Sequence, residues 1–364
     1  MLDSLIKSNI GSLAVYKPGK PIEEVQRELG LERVIKLASN ENPLGPSPRA
    51  VEAVSRAIGE VHRYPDGSAY RLKRALAAAL DVEPEAVLLA NGSNEVVQQL
   101  SLAVLDEGDE AVMPVPSFPR YEPLARLMKA EPVEVPLTDY RLDLEAMATR
   151  ISPRTKIVYI CNPNNPTGTI VRKDEFETFL DKLPPRVLVV MDEAYFEYVD
   201  DPLYPDGLDY FRRGRNVIVL RTFSKIYGLA GLRVGYAIGS PDLIAYLERV
   251  REPFNVNALA QTAALAALGD REFVRRSQDL AREGKRFLYS AFTSRGISYV
   301  PSEANFIFFD AGRPEQEVFR RMLRRGVIVR GGFGYPTMLR VTIGTPDENA
   351  VFIEAFDGTL REDF

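Results

Sequence analysis

Short apolar runs separated by stretches of helical periodicity govern the first two-thirds of the chain. The runs Val87–Ala90, Ala111–Val115, Ile157–Cys161, Val187–Met191, Val217–Leu220 and Val234–Ile238 have the length of buried strands. Apolar residues return at helical spacing before and between them, over Arg49–Ile58, Ala69–Leu80, Asn94–Leu105 and Asp174–Lys182. Alternation of this kind predicts crossover units, a mostly parallel sheet covered by helices on both faces, and hence an α/β class. A seventh, antiparallel strand would escape this pattern.

From Pro241 onward the pattern changes to long amphipathic helices, over Pro241–Arg251, Asn257–Leu268 and Arg271–Arg295, with Glu315–Arg325 also helical. Strands are expected at Ile297–Val300, Asn305–Phe309, Val327–Arg330 and Leu339–Ile343. That order predicts a smaller α+β unit, hinged by the long helix. The expected division is an N-terminal arm over 1–35 packing with the small unit, a large unit over 36–245 and the small C-terminal unit over 246–364. The proline-rich segment Ser39–Pro48 reads as a long ordered loop. No internal repeat or low-complexity tract interrupts the chain.

Composition narrows the partners. With 364 residues, 45% of them hydrophobic, the chain can bury more than one domain's core. A net charge of −5 offers no footprint for nucleic acid or an anionic membrane, which favours a small-molecule partner. One cysteine, Cys161, excludes an intrachain disulfide framework, and one histidine, His62, excludes a histidine-rich metal site. No apolar run approaches the roughly 18 residues of a membrane span, and Met1–Lys7 lacks a signal-peptide core. A soluble protein in a reducing cytoplasm is the expectation, with Cys161 a buried, inert thiol.

The candidate chemistry lies at strand ends. In Thr222–Gly235 a lysine, Lys225, stands among the hydroxyls of Thr222 and Ser224 and the guanidinium of Arg233. An amine of this kind forms a Schiff base with a carbonyl, and the other three are donors suited to phosphate oxygens. Gly92-Ser93-Asn94 follows one strand and opens a helix, whose free amides make a second anion site from Ser93 and Asn94. Asp192 ends the apolar run Val187–Met191, where a carboxylate is costly unless it meets a cation or donor. A protonated pyridine nitrogen is such a partner, and pyridoxal 5′-phosphate combines aldehyde, phosphate and pyridine in one cofactor. Tyr195 and Asn165, the latter in the loop Asn162–Gly168, are placed to reach its phenolic oxygen, and Phe118 offers a flat apolar face for its ring. Arg340 puts a charge on an apolar strand, and Arg330 precedes two glycines; both are candidate receptors for substrate anions. Taken singly, each has a plain structural reading: a helix cap, a turn, a core ring, a surface charge.

Taken in order, these residues resemble the fold-type I pyridoxal-phosphate aminotransferases over essentially the whole chain. Within that superfamily Leu37–Pro43, Arg63–Asp66, Asn162–Gly168, Asp192–Tyr195 and Thr222–Gly235 look most like the histidinol-phosphate aminotransferases. The resemblance implies the aspartate-aminotransferase-like fold with a seven-stranded sheet, and a homodimer in which Tyr64 reaches the cofactor phosphate of the neighbouring subunit. It assigns Lys225 to the cofactor aldehyde and to proton transfer, and Asp192 to the ring nitrogen. Asn165 and Tyr195 fall to the phenolic oxygen, and Ser93, Asn94, Thr222, Ser224 and Arg233 to the phosphate. Tyr16, Arg330 and Arg340 are left to line the substrate pocket. The implied reaction exchanges an amino group between histidinol phosphate and 2-oxoglutarate in histidine biosynthesis. A broader aromatic aminotransferase and, from another class, a threonine-phosphate decarboxylase stay open. Two departures stand out, Phe118 where the family commonly has tyrosine and Thr222 where it has serine. Each keeps the physical role of the residue it replaces.

Overall fold

Each apolar run of the first two-thirds of the chain forms a strand of one large sheet in the computed structural model, which describes residues 5–13, 15 and 19–361. The chain enters through helix α1 (Ile22–Leu29) and a short strand β1 (Ile35–Lys36), then α2 (Pro48–Ala57) and α3 (Tyr70–Leu80). The alternating core follows: β2 (Val87–Ala90), α4 (Ser93–Val104), β3 (Glu110–Val115), α5 (Tyr121–Leu127), β4 (Glu131–Pro136), α6 (Leu144–Thr149), β5 (Thr155–Cys161) and α7 (Lys173–Lys182). It closes with β6 (Leu188–Asp192), α8 (Gly207–Arg212), β7 (Val217–Thr222) and β8 (Gly235–Ile238). The strand order is β2-β8-β7-β6-β5-β3-β4.

Both sheet faces are buried, which is why the strands read as apolar runs rather than as alternation. Along β6, Val189 and Met191 enter one core while Leu188 and Val190 enter the other, as the two-residue period of a strand requires. The strand missing from the pattern is β4, and it is parallel to β3, pairing Val112 with Val133. Two prolines in its six residues disguised it, and a sheet edge is where proline is tolerated. The antiparallel member is instead β8, bonded to β2 on one side and β7 on the other. Its apolar run carried no mark of direction.

Helices α9 (Pro241–Val250) and α10 (Ala258–Leu268) follow. Although the pattern groups them with the second unit, α9 puts Ile244 and Leu247 into one core of the large sheet and α10 puts Ala260, Ala263, Ala264 and Ala267 into the other. The long helix α11 (Arg271–Thr293) joins two cores: Ala281 packs under the large sheet, whereas Leu288 and Phe292 belong to the second core.

That second core is built on β9 (Tyr299–Val300), β10 (Phe306–Asp310), α12 (Glu315–Arg324), β11 (Val327–Ile328), β12 (Met338–Thr342) and α13 (Pro346–Leu360). Strands β12, β10 and β9 form an antiparallel sheet, and β11 pairs in parallel with β1 from the arm. Helix α13 starts with a capping box in which Thr345 and Glu348 bond each other's backbone N–H. The pattern reading did not predict this helix, although Thr-x-x-Glu is a capping-box signature. Phe292 stacks on Phe309 at 4.9 Å and meets Phe352 edge-on. Since Phe292 is fully buried, Phe292→Ala is expected to cost about 3–5 kcal/mol, read as a fall in the urea midpoint of unfolding; an unchanged midpoint would contradict this packing.

Candidate functional site

The carboxyl ends of β2, β3, β5, β6 and β7 face one way, and the antiparallel direction of β8 brings its start to the same edge. Open α/β sheets collect ligands there. A cavity of about 220 Å³ lies at this edge and extends to the small unit, with Lys225, Asp192 and Phe118 on one side and Arg330, Phe333 and Arg340 on the other.

At one end the cavity is an anion cradle. Ser93 and Asn94 open the twelve-residue helix α4 behind Gly92, whose φ of +80° suits a residue without a side chain. The Arg233 guanidinium lies against Gly92, close enough that a Cβ there would collide with it. Arg233 Nη1 donates to Ser224 Oγ at 3.2 Å, and Thr222 Oγ1 accepts from the Ser224 N–H at 3.1 Å. Arg120 Nε donates to Asn94 Oδ1 at 3.2 Å. A Cβ on Gly235 would strike the backbone of Gly92 and Ser93, so a glycine is required where β8 passes under the helix start. Ser93, Asn94, Thr222, Ser224 and Arg233 thus converge on one spot from three chain segments.

In the middle lie the two ionisable groups. Lys225 Nζ donates to the Ser39 carbonyl at 3.1 Å and sits 5.7 Å from the Tyr195 ring centre. Burial pushes its ammonium down to about 8, helped by the charges of Arg340, Arg233 and Lys36 and opposed by Glu41. Asp192 is 3% exposed. Burial raises its carboxyl, against the pull of the Tyr121 hydroxyl, the Ala194 N–H and the Lys225 charge. Tyr121 Oη donates to Asp192 Oδ2 at 2.7 Å, while Oδ1 has no partner among the described residues.

At the far end, Tyr195 Oη accepts from Asn40 Nδ2 at 2.8 Å, and burial pushes its phenol up to about 12. The hydroxyl therefore keeps its proton and can still donate. Arg340 is buried, not a surface residue: its Nη2 donates to the Ala38 carbonyl at 2.6 Å and its Nη1 to Asn165 Oδ1. Its guanidinium sits 5.2 Å and 5.4 Å from the ring centres of Phe306 and Phe333. Arg330 pairs with Arg340 through backbone N–H and C=O groups and lines the same wall.

One expected residue does not line the cavity. Tyr64 is 83% exposed and stacks on Phe254 at 4.8 Å, away from the lining. Tyr16 lies outside the described residues. Cys161 is buried in the cavity floor with its thiol pushed up to about 12 by desolvation, and His62 is exposed. Among the described residues no cluster could hold a metal ion, and no helix is long and apolar enough to cross a membrane. The motif reading missed Tyr121, Asn40, Ser39 and Phe333. Ser39 and Asn40 stand in the Leu37–Pro43 motif but, like Tyr121 and Phe333, reach the site only through tertiary contacts that a motif does not show.

The donor set fits pyridoxal phosphate. A cradle of hydroxyls and a guanidinium suits its phosphate, an unpartnered buried carboxylate oxygen suits its ring nitrogen, and a desolvated amine suits its aldehyde.

The family model of the class I and II aminotransferases matches residues 32–356. A histidinol-phosphate aminotransferase of Moorella thermoacetica is 56% identical over 96% of this chain and 91% of its own length. Another, of Carboxydothermus hydrogenoformans, is 51% identical over 98% and 99%. The crystal structure of histidinol-phosphate aminotransferase from Sinorhizobium meliloti in complex with pyridoxal-5′-phosphate superposes with a TM-score of 0.90 at 26% identity, covering 98% of each chain. An aspartate aminotransferase of Thermus thermophilus, at 24% identity and a TM-score of 0.84, shares the fold, with 97% of this chain and 99% of that one covered.

The shift of Lys225 sets a pH dependence. Below about 8 its amine is an ammonium and cannot attack a carbonyl; above it the neutral amine dominates. In the cofactor-free protein, labelling of Lys225 by an amine-reactive reagent, followed by peptide mass mapping, is expected to half-saturate near pH 8. A midpoint above about 10, the ordinary lysine range, would refute the desolvated setting.

Proposed function

The chain belongs to the class I and II aminotransferases, and from that premise we propose that it transfers an amino group from glutamate to imidazole-acetol phosphate, and back from histidinol phosphate to 2-oxoglutarate, in histidine biosynthesis. The observation that carries this reading is the convergence of a desolvated lysine, a buried carboxylate and an anion cradle in a cavity whose other wall holds Arg330 and Arg340. The identity to the two histidinol-phosphate aminotransferases supports the substrate.

Pyridoxal phosphate, when bound, supplies the aldehyde that carries the amino group and a cationic ring that withdraws electrons from the substrate carbon. Ser93, Asn94, Thr222, Ser224 and Arg233 hold its phosphate through charge-assisted bonds. Asp192, whose Oδ1 lacks a partner among the described residues, would hold the ring nitrogen and keep it protonated. Tyr195 and Asn165 hold the phenolic oxygen, and Phe118 covers the ring face. Lys225 Nζ anchors the cofactor and moves the proton at the substrate α-carbon, a task suited to an amine titrating near 8. Arg330 and Arg340, with Tyr16, receive the carboxylate of glutamate and the phosphate of histidinol phosphate. The α-carboxylate absent from histidinol phosphate and the phosphate absent from glutamate require a pocket that accepts either anion.

We further take the enzyme to be a cytoplasmic homodimer in which Tyr64 completes the partner's phosphate site. The exposure of Tyr64 beside Phe254 supports this, since a large ring left in solvent on a monomer suits an interface. The same reading keeps an arm, a large unit and a small unit, with α9 and α10 counted in the large one because of where their side chains pack.

In the purified protein loaded with pyridoxal phosphate, histidinol phosphate is expected to bleach the cofactor absorbance much faster than phenylalanine does. Faster bleaching by phenylalanine would move the substrate class to aromatic amino acids. Lys225→Ala should abolish turnover, and an unchanged rate would end the mechanism. Mixing Lys225→Ala chains with Tyr64→Ala chains tests the shared site: random two-fold dimers regain about a quarter of wild-type activity if Tyr64 acts across the interface, and none if it acts within its own chain.

A further inference from the structure

The turn from Phe118 to Tyr121 touches the site at three points. Phe118 forms part of the cavity wall, Arg120 holds Asn94 at the start of α4, and Tyr121 begins α5 with its hydroxyl on Asp192. Tyr121 itself is 1% exposed and does not line the cavity. Its ring is fixed on both sides, stacked on Tyr159 at 4.2 Å and 10° and meeting Phe118 edge-on at 5.4 Å. The hydroxyl is therefore held in place by ring packing before any ligand binds.

We propose that Tyr121 is a positioning residue for Asp192: its hydroxyl occupies Oδ2 and so leaves Oδ1 as the oxygen presented to the ring nitrogen of the cofactor. This rests on the pyridoxal-phosphate reading above. The two oxygens of a carboxylate are chemically equivalent until a donor distinguishes them. At 2.7 Å the phenol ties one. It also stabilises the ionised form, because a donor to a buried carboxylate offsets part of its desolvation. The titratable groups facing this carboxylate are Tyr121 from α5, Tyr159 and Cys161 from β5, Lys225 from the turn after β7 and Tyr195 beyond β6. Burial holds the phenols of Tyr121, Tyr159 and Tyr195 and the Cys161 thiol neutral, so Lys225 is the only cation among them.

The test compares two ligands on cofactor-free protein: pyridoxal phosphate, and its deaza analogue in which carbon replaces the ring nitrogen. Tyr121→Phe removes one oxygen and keeps both ring contacts. It is expected to weaken pyridoxal phosphate about tenfold, the loss of one charge-assisted hydrogen bond, while leaving the deaza analogue within about twofold. Tyr159→Phe, which removes a hydroxyl that does not touch Asp192, should leave both affinities within the same margin. The acid limb of the glutamate half-reaction should move to higher pH in Tyr121→Phe, because the carboxylate, left with the Ala194 N–H but without the phenol, protonates more readily. Equal losses for both ligands would make Tyr121 a packing residue and overturn the proposal, as would no loss for either. If Tyr121→Phe does not fold, Tyr121→His, which keeps an N–H donor, goes through the same pair of ligands, and equal losses again overturn it. Wild-type protein that binds neither ligand would instead remove the cofactor reading.

Discussion

Asp192 is a carboxylate at the bottom of a cavity, and the cost of keeping it ionised there constrains everything near it. A charge withdrawn from water destabilises the fold by several kcal/mol unless donors or cations replace the lost hydration. The Tyr121 hydroxyl, the Ala194 N–H and the Lys225 charge do so only in part, and burial still raises the carboxyl. The apo fold therefore carries an electrostatic deficit that a cationic ring would offset. Lys225 shows the reverse of the same physics, since desolvation and neighbouring cations push its amine toward neutrality. One cavity thus favours a neutral amine and a cationic ligand beside a carboxylate.

On the opposite face of the sheet the next residue solves a similar problem with protein groups alone. Glu193 accepts from Arg221 Nε at 2.8 Å and from the Gly207 N–H at 2.8 Å, and Arg221 Nη2 also reaches Asp206 at 2.7 Å. The guanidinium lies 3.6 Å over the Phe196 ring. Burial still raises the Glu193 carboxyl to about 7, against the pull of Arg221. Adjacent residues of one strand end thus carry two buried carboxylates on opposite faces, one satisfied by the chain and one left with an unpartnered oxygen. That contrast marks the Asp192 face as the ligand face.

The cavity also depends on ties between the two units. Asn40 bonds Tyr195 on the large side and Thr342 on β12, and Asn305 Nδ2 donates to the Asn40 carbonyl at 3.1 Å. Arg340 reaches Asn165 from β12. Glu303 N donates to the Gly168 carbonyl at 2.8 Å, holding the Asn162–Gly168 loop against the small unit. These bonds set the distance between the arginine wall and Lys225, while α11 carries the covalent link between the cores.

The sequence by itself determined the class of fold and the cofactor chemistry. Buried strands write themselves as apolar runs, and the candidate residues for phosphate, aldehyde and ring nitrogen stand at strand ends, where the structure brings them to one cavity. Lys225, Asp192, Arg233 and Ser93 were legible for that reason. The direction of β8 and the existence of β4 were not, because strand direction leaves no mark in composition and prolines hide an edge strand. Nor were the residues that act through others. Tyr121 looks like any core tyrosine, and Asn40 like any loop residue, until the sheet places Asp192 and Tyr195 beside them. Asn40 and Arg233 both adopt a φ of +56°, a left-handed conformation that costs a non-glycine residue about 1 kcal/mol or more. Only long-range packing holds a side chain there, so the last ångströms of this site were decided by the tertiary structure.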